Sequence, residues 1–315
     1  MKPALSRTPD IAPRKRRPIR ALQRAPVFGL LIALAGCADT TPDSYTLARH
    51  GQPCRYCDLR YKDFVVSDLQ GIDLSGAYLY GADFSWSVLA QGSLKSATLD
   101  WTRFEWADLD GVDLSKAMLQ DSTFYKASLK RANLRMADFS RASLRSADLT
   151  EADGVTANFQ KANLIDAWMP NGRFRDTDMR DANLSGALLR EADFQGSRLD
   201  RADMRGTDVH GTIFAEAVLK DVNFASTALS HTNFRGADLR NAKFTGAFID
   251  AVNFQGADLR HADFTGAITR NVVFLGANVC GATLPDGTIG ACRDQEHASD
   301  EPAAPGRQSP KEPHP

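Results

Sequence analysis

Leucine or phenylalanine returns every fifth residue through the stretch Ala132 to Phe159, ANLRMADFSRASLRSADLTEADGVTANF, and the same frame holds from Leu59 to Leu284 without insertion or deletion. That makes 46 consecutive pentads, whose centre is Leu, Phe, Met, Ile or Val in all but two, Gly154 and Thr269. Two residues before each centre stands Ala, Gly, Ser, Thr, Cys or Val, with Lys62 and Ile72 the exceptions. A helix buries one face with a period of about 3.6 and a half-buried strand with a period of about 2, so a period of five belongs to neither. It predicts short straight segments joined by tight turns, each sending its centre and its small residue inward.

A longer period lies over the first. Residues 233–252 match the chain 20 residues further on at 13 of 20 positions, against 3, 6 and 2 at shifts of 5, 10 and 15. Twenty residues therefore return the chain to the same wall, and one turn of the object has four sides.

This A(D/N)LXX pattern over residues 54–284 resembles the pentapeptide-repeat family. The resemblance implies an all-β fold, a right-handed quadrilateral parallel β-helix in which each pentad forms one side of a square coil. At 20 residues per coil the array makes about 11 coils, and at the inter-strand spacing of about 4.8 Å the rod is roughly 55 Å long. Backbone amides then pair with the coils above and below, and each buried Leu or Phe contributes roughly 1.5 to 3 kcal/mol.

One wall carries Leu74, Leu94, Leu114 and Leu134, then Gly154, then Phe174 and a phenylalanine at every twentieth residue to Phe274. Phe174 is expected to fill part of the space above Gly154; a bend or recognition notch is the alternative. Pro170 and Gly172 stand nearby, and a proline is expected to remove a donor from the ladder. An irregularity is therefore expected across 154–172.

The ends differ in composition. A basic segment (Arg14 to Arg24), nine apolar residues (Val27 to Ala35) and LAGC (Leu34 to Cys37) follow in order. Nine apolar residues span about half a bilayer, which favours a signal peptide over a membrane-spanning helix. LAGC resembles the lipobox of bacterial lipoproteins, which implies cleavage before Cys37, lipidation of Cys37, and export. Ala38 rather than Asp follows, which by the same resemblance leans towards the outer membrane, facing the periplasm. The chain then divides into a cleaved leader (1–36), a lipidated cysteine and tether (37–53), the β-helix (54–290) and a polar, Pro-rich, disordered tail (291–315). No capping helix is evident at either end, so terminal coils are expected to offer open edges, and an end-to-end homodimer is one way to close them. Removing the leader changes the formal charge from −1 to about −8, a mild acidity that concerns solubility rather than a partner.

Four further cysteines form two pairs near the ends of the array. Export makes disulfides plausible, with Cys280 and Cys292 pinning the last coil. Cys54 and Cys57 could pin the first, stay as free thiols, or act as a redox pair. All four cannot hold one metal ion, because Cys57 and Cys280 lie about 11 coils, roughly 50 Å, apart. No metal or cofactor is expected.

Catalysis needs convergent groups in a concave site, and an array without one insertion has no long loop with which to build one. No enzyme is expected; a β-helical hydrolase would need a cleft. Asp or Asn precedes the centre in 25 of the 46 pentads, and hydrogen bonds that stabilise turns are their default role. His210, His231 and His261 are not separated by multiples of 20 and should not form a ladder of ligands.

Aromatic residues mark a candidate interaction patch: Trp86 and Trp106, 20 apart, should stack at a corner, with Trp101, Tyr80 and Tyr125 at nearby outward positions. Such a cluster is either a contact surface for protein or glycan, or a cross-strand ladder that stabilises coils. Lys126, Lys130, Arg131, Arg135, Arg141 and Arg145 make a basic run that a square rod spreads over several walls, so it reads as solvated surface. The first expectation for function is a noncatalytic, lipid-anchored envelope rod that scaffolds or binds an envelope protein. Some cytoplasmic members of the resembled family mimic B-DNA and inhibit topoisomerases; the export signal and the many Arg residues depart from that alternative. No nucleic-acid partner is expected.

Overall fold

The computed structural model describes residues 44–292; the leader, Cys37 and the tail from 293 lie outside the described residues. The chain winds into a right-handed quadrilateral β-helix. Parallel pairing joins residue to residue at a register of 20, from Asp58 with Tyr78 to Asp263 with Thr283. On one wall the pairing lengthens into short strands, β1 (Ala228–Ser230), β2 (Phe248–Asp250) and β3 (Ile268–Arg270), in parallel order.

Four of the five amides in a typical pentad are used by the backbone. The centre donates to the coil above (Leu79 N to Thr98 O, 2.8 Å) and the residue before it to the coil below (Tyr78 N to Cys57 O, 2.9 Å). The small residue closes the turn (Ala77 N to Leu74 O, 3.0 Å), and the corner residue donates upward (Tyr61 N to Tyr80 O, 2.9 Å). The fifth amide, on the residue after the centre, turns away from both neighbours. In every pentad with Asp or Asn before the centre, that side-chain oxygen accepts it, as in Ser75 N to Asp73 Oδ1 (3.0 Å) and Gln160 N to Asn158 Oδ1 (3.0 Å). The 25 acidic and amide residues are thus turn residues, as expected.

Pro170 occupies that fifth position. Contrary to expectation it removes no ladder donor, since a residue there has no backbone acceptor to lose, and its carbonyl still accepts from Glu151 (2.9 Å). Pairing continues through the segment, with Asp153 on Arg173 and Trp168 on Leu188. The irregularity expected at 154–172 takes the form of a change in side-chain packing. A Cβ at Gly154 would sit 2.7 Å from Cδ1 of Phe174, so the ring occupies the place of a side chain.

Every corner, at positions ending in 1 or 6 from 56 to 281, has φ between +50° and +70°. A left-handed residue at the third position of a turn is the mark of type II, which favours glycine. Glycine fills only 14 of these 46 corners.

Inside, Leu and Phe centres are fully buried along nearly the whole length, and small residues leave room for them. Where the small residue is threonine its hydroxyl donates to a backbone carbonyl, of the coil below from Thr102 to Leu79 (2.9 Å) and Thr212 to Leu189 (2.8 Å), or of its own coil from Thr177 to Phe174 (2.8 Å) and Thr207 to Met204 (2.7 Å), so it is buried without an orphaned donor. The phenylalanines form one chain of ring contacts that changes wall twice. It climbs through Phe64, Phe84, Phe104 and Phe124, crosses to Phe139 and Phe159, then crosses to Phe174 and on to Phe274. From Phe214 a second column, Phe224 to Phe264, runs beside it with edge-on contacts.

The first end corrects the sequence reading. Helix α1 (Ser44–Arg49) lies within the expected tether, and Ala48 is fully buried in the core cluster. Six residues are too few to show helical periodicity, and such a helix stands only by packing on something else. At the other end the chain folds back: Thr283 pairs antiparallel with Ile289, and Gly290 N donates to Ala282 O (2.7 Å). Burial thins there, leaving Phe274 40% and Ile268 57% exposed.

Candidate functional site on the outer surface

With the interior filled, chemistry must come from residues that point outward. The structure divides the aromatic patch between two corners. Trp86 and Trp106 stack with ring centroids 4.9 Å apart and planes 7° from parallel, and Tyr125 meets Trp106 edge-on at 5.9 Å. The Lys126 ammonium sits 4.3 Å from the Trp106 centroid, covering its upper face, a cation–π contact. Tyr80 belongs to the neighbouring corner, edge-on to Tyr61 at 5.4 Å. Trp101 shares the Tyr61 edge, 40 residues on, and is 58% exposed. Tyr56 and Tyr61, missed in the sequence reading, are 74% and 72% exposed. Their signal was available, because both occupy corner positions in the same frame as the tryptophans.

Charge is arranged as pairs. Arg beside Asp in one pentad gives Arg205 with Asp203 and Arg260 with Asp258, each 2.6 Å. Pairs 18 residues apart bridge coils, as Arg190 with Asp208 (2.6 Å). Four of the six basic-run residues are neutralised in this way: Lys130 by Asp148, Arg131 by Asp110, Arg135 by Asp153 and Arg141 by Asp121. Hydrogen bonds from Arg205 and Arg260 hold the Asp203 and Asp258 carboxyls below the usual range despite partial burial. Asp58, bonded to Arg60, is lowered to about 2. Asp100 goes the other way: partial burial raises it, helped by Asp138 and Asp121 and opposed by the amide of Gln120.

Two further expectations meet the geometry. His210 and His231, 21 apart, do touch, ring centroids 5.2 Å apart; the residue after a centre lies beside the corner one coil up, which a test for multiples of 20 overlooks. His261 is not part of that pair. Among the described residues no group of three or more His, Cys, Asp or Glu is placed to hold a metal ion. Cys54 is bonded to Cys57 and Cys280 to Cys292. Hollows such as the one lined by Arg190, Asp208, His210 and Ser230 lie between side chains on the surface, and Asp208 there is engaged with Arg190 and the His210 amide. Among the described residues no helix is long and apolar enough to cross a membrane.

Comparison with known families agrees with this geometry. The model for pentapeptide repeats matches residues 57–95, 67–105, 97–135, 137–176 and 177–215, and that for a pentapeptide repeat region matches 207–284. The chain belongs to the pentapeptide repeat family. This pentapeptide repeat protein is 26% identical to HetL of Nostoc sp. strain PCC 7120, a pentapeptide repeat protein involved in heterocyst differentiation regulation. That match covers 75% of this chain and 92% of HetL, with a TM-score of 0.39. Full-length QnrB1, a plasmid-mediated fluoroquinolone resistance protein, is 16% identical over 70% of this chain and 94% of its own, with a TM-score of 0.30. A pentapeptide repeat protein of the Arabidopsis thaliana thylakoid lumen is 29% identical over 42% of this chain and 65% of its own, with a TM-score of 0.12. No curated protein matches by sequence.

Proposed function

We propose that this pentapeptide repeat protein is a noncatalytic rod of the bacterial cell envelope, anchored by lipid at Cys37, which acts by contact along its outer surface as a scaffold for envelope proteins. The observation that carries the reading is the use already made of its polar groups: each Asp or Asn before a centre accepts its own turn amide, and many of these carboxylates also hold an arginine. Groups so occupied are poor acids, bases or nucleophiles. The leader adds the anchor, and the exposed aromatic residues Trp86, Trp101, Trp106, Tyr80 and Tyr125 add a contact surface. The open last coil, with Phe274 and Ile268 exposed, is the place for an end-to-end homodimer.

Membrane fractionation tests the anchor. The wild-type chain should sediment with the outer membrane and the Cys37→Ser variant should be released; a variant that still fractionates with membranes counts against lipid attachment. Crosslinking in intact envelope tests the scaffold, since a chain that captures no other protein is not one. The topoisomerase-binding alternative is met by an inhibition assay with purified gyrase and the leaderless chain. Arginine pairing along the walls breaks the continuous negative surface that a DNA mimic needs, so no inhibition is expected.

A further inference from the structure

Aromatic corners are confined to one end of the rod. Of the 46 corners, Tyr56, Tyr61, Trp86, Trp101 and Trp106 carry tyrosine or tryptophan, and all five fall among the first 11; the 35 corners from 111 to 281 carry no Phe, Tyr or Trp. A side chain at a left-handed corner costs about 1 kcal/mol or more relative to glycine. Burial does not offset that cost here, because these rings remain 40% to 74% exposed. Packing between corners accounts for one pair, Trp86 on Trp106. Tyr56 and Tyr61 instead lean over Gly76 and Gly81, the glycines one coil above, where a Cβ would collide with their rings. Their placement is therefore set, while their outer faces stay open.

The arrangement has a direction. Tyr61 and Trp101 stand on one edge of the rod and Val66, Trp86 and Trp106 on the next, so they border a single wall; Val66 is itself 74% exposed. That wall carries both signs of charge, including the Arg103–Asp83 pair at 2.7 Å. Tyrosine and tryptophan rings bordering mixed charge match the headgroup layer of a lipid bilayer, where amphipathic rings are preferred. From Tyr61 to Trp106 the belt extends about 11 Å along the axis at the inter-coil spacing.

A lipid on Cys37 would bring this end, and not the other, to a membrane. Seven residue steps separate Cys37 from Ser44, a reach of about 25 Å when fully extended, and α1 is packed against the first coils through Ala48. We infer that the wall bordered by Tyr61, Trp101, Val66, Trp86 and Trp106 seats in the lipid headgroup layer beside the anchor, so that the rod leans on its membrane and presents its distal coils to other partners. This rests on the reading of Cys37 as the lipid anchor, and it names the occupant of the aromatic surface as lipid rather than protein or glycan.

Trp168 supplies an internal control. It is 54% exposed but lies on another wall, about 15 Å further from the anchored end than Trp106 at the inter-coil spacing. The full lipidated chain is reconstituted into phosphatidylcholine vesicles containing lipids brominated near the headgroup, and tryptophan fluorescence is compared for two variants. Trp168→Phe retains the belt; the triple variant Trp86→Phe, Trp101→Phe and Trp106→Phe retains only Trp168. Phenylalanine keeps the corners aromatic, and circular dichroism checks the fold. The belt variant should be quenched at least twofold more than the Trp168-only variant. Equal or absent quenching in chains that float with the vesicles overturns the inference and leaves the anchor standing; failure of the wild-type chain to float overturns the anchor, and the inference with it.

Discussion

The coils before residue 182 and those after it solve the same corner differently. From 56 to 181, glycine fills 4 of 26 corners; from 186 to 281 it fills 10 of 20, though φ is left-handed throughout. The first region accepts backbone strain and retains side chains that act along the edges, as Arg141 does with Asp121 and Lys126 with Trp106. The second relaxes the corners and concentrates on its interior, where two phenylalanine columns meet edge to face. Backbone geometry is therefore common property of the fold, while stability and surface are adjusted separately along it, as nearest-neighbour stacking allows.

The largest test of this contrast lies in the core. Phe234 stacks on Phe214 and Phe254 and meets Phe224 and Phe244 edge-on, whereas Phe84 has only its two stacked neighbours in the ring chain. Each Phe→Ala change should cost about 3 to 5 kcal/mol in urea unfolding, and Phe234→Ala about 1 kcal/mol more than Phe84→Ala. Equal losses would mean that the second column adds nothing.

The junction comes next. Gly154→Leu should destabilise by about 1 to 3 kcal/mol through overpacking against Phe174, and adding Phe174→Leu, which extends the leucine column, should recover most of it. Failure of the second change to rescue would show that the glycine serves the backbone instead.

Corner substitutions should have smaller effects of opposite sign in the two regions. Ser146→Gly should stabilise, and Gly256→Ala, whose Cβ would meet no atom within 4 Å, should destabilise, each by about 1 kcal/mol. A thermal melt that moves in the same direction for both would contradict the strain argument.

Smallest is the response to acid. Asp203, Asp238 and Asp258 are held below the normal carboxyl range in the second region, and Asp58, Asp73, Asp178 and Asp181 in the first; burial opposes the shift most at Asp73, Asp178 and Asp238, but hydrogen bonds from Ser75, Arg180 and Arg240 outweigh it. A depressed folded-state value gives stability that is present above about pH 4 and is lost as pH falls through that value. Solvent screening keeps the contribution of each pair small. Hydrogen exchange at pH 3 against pH 6 should therefore show a greater loss of protection near Asp58 and Asp73 and from Asp178 to Asp258 than near Asp100. Asp100 has the opposite sign, since its raised value weakens the fold at neutral pH; Asp100→Asn should slightly stabilise the first region at pH 7 and lose that advantage as pH falls.

Much of the architecture was legible because it repeats. The pentad frame, the four walls, the turn-bound Asp and Asn residues and the stacking of Trp86 on Trp106 all follow from counting in fives and twenties. Contacts at other offsets were not legible. His210 meets His231 across 21 residues, Arg135 meets Asp153 across 18, and Phe124 reaches Phe139 across 15, each by rounding a corner or crossing the interior. Helix α1 was hidden because a single turn has no period to read, and the harmlessness of Pro170 because the amide that the ladder leaves unused shows only once every other amide has been paired.

By itself the sequence determined which side chains face inward and how many residues return the chain to a given wall, because both are properties of a local pattern held by every pentad in turn. Only the tertiary structure decided which outward groups meet, what closes the first end, and where the chain of rings changes wall. Those depend on how far a side chain reaches around a left-handed corner or across the interior, and on what a helix too short to show a period packs against, none of which residue order contains.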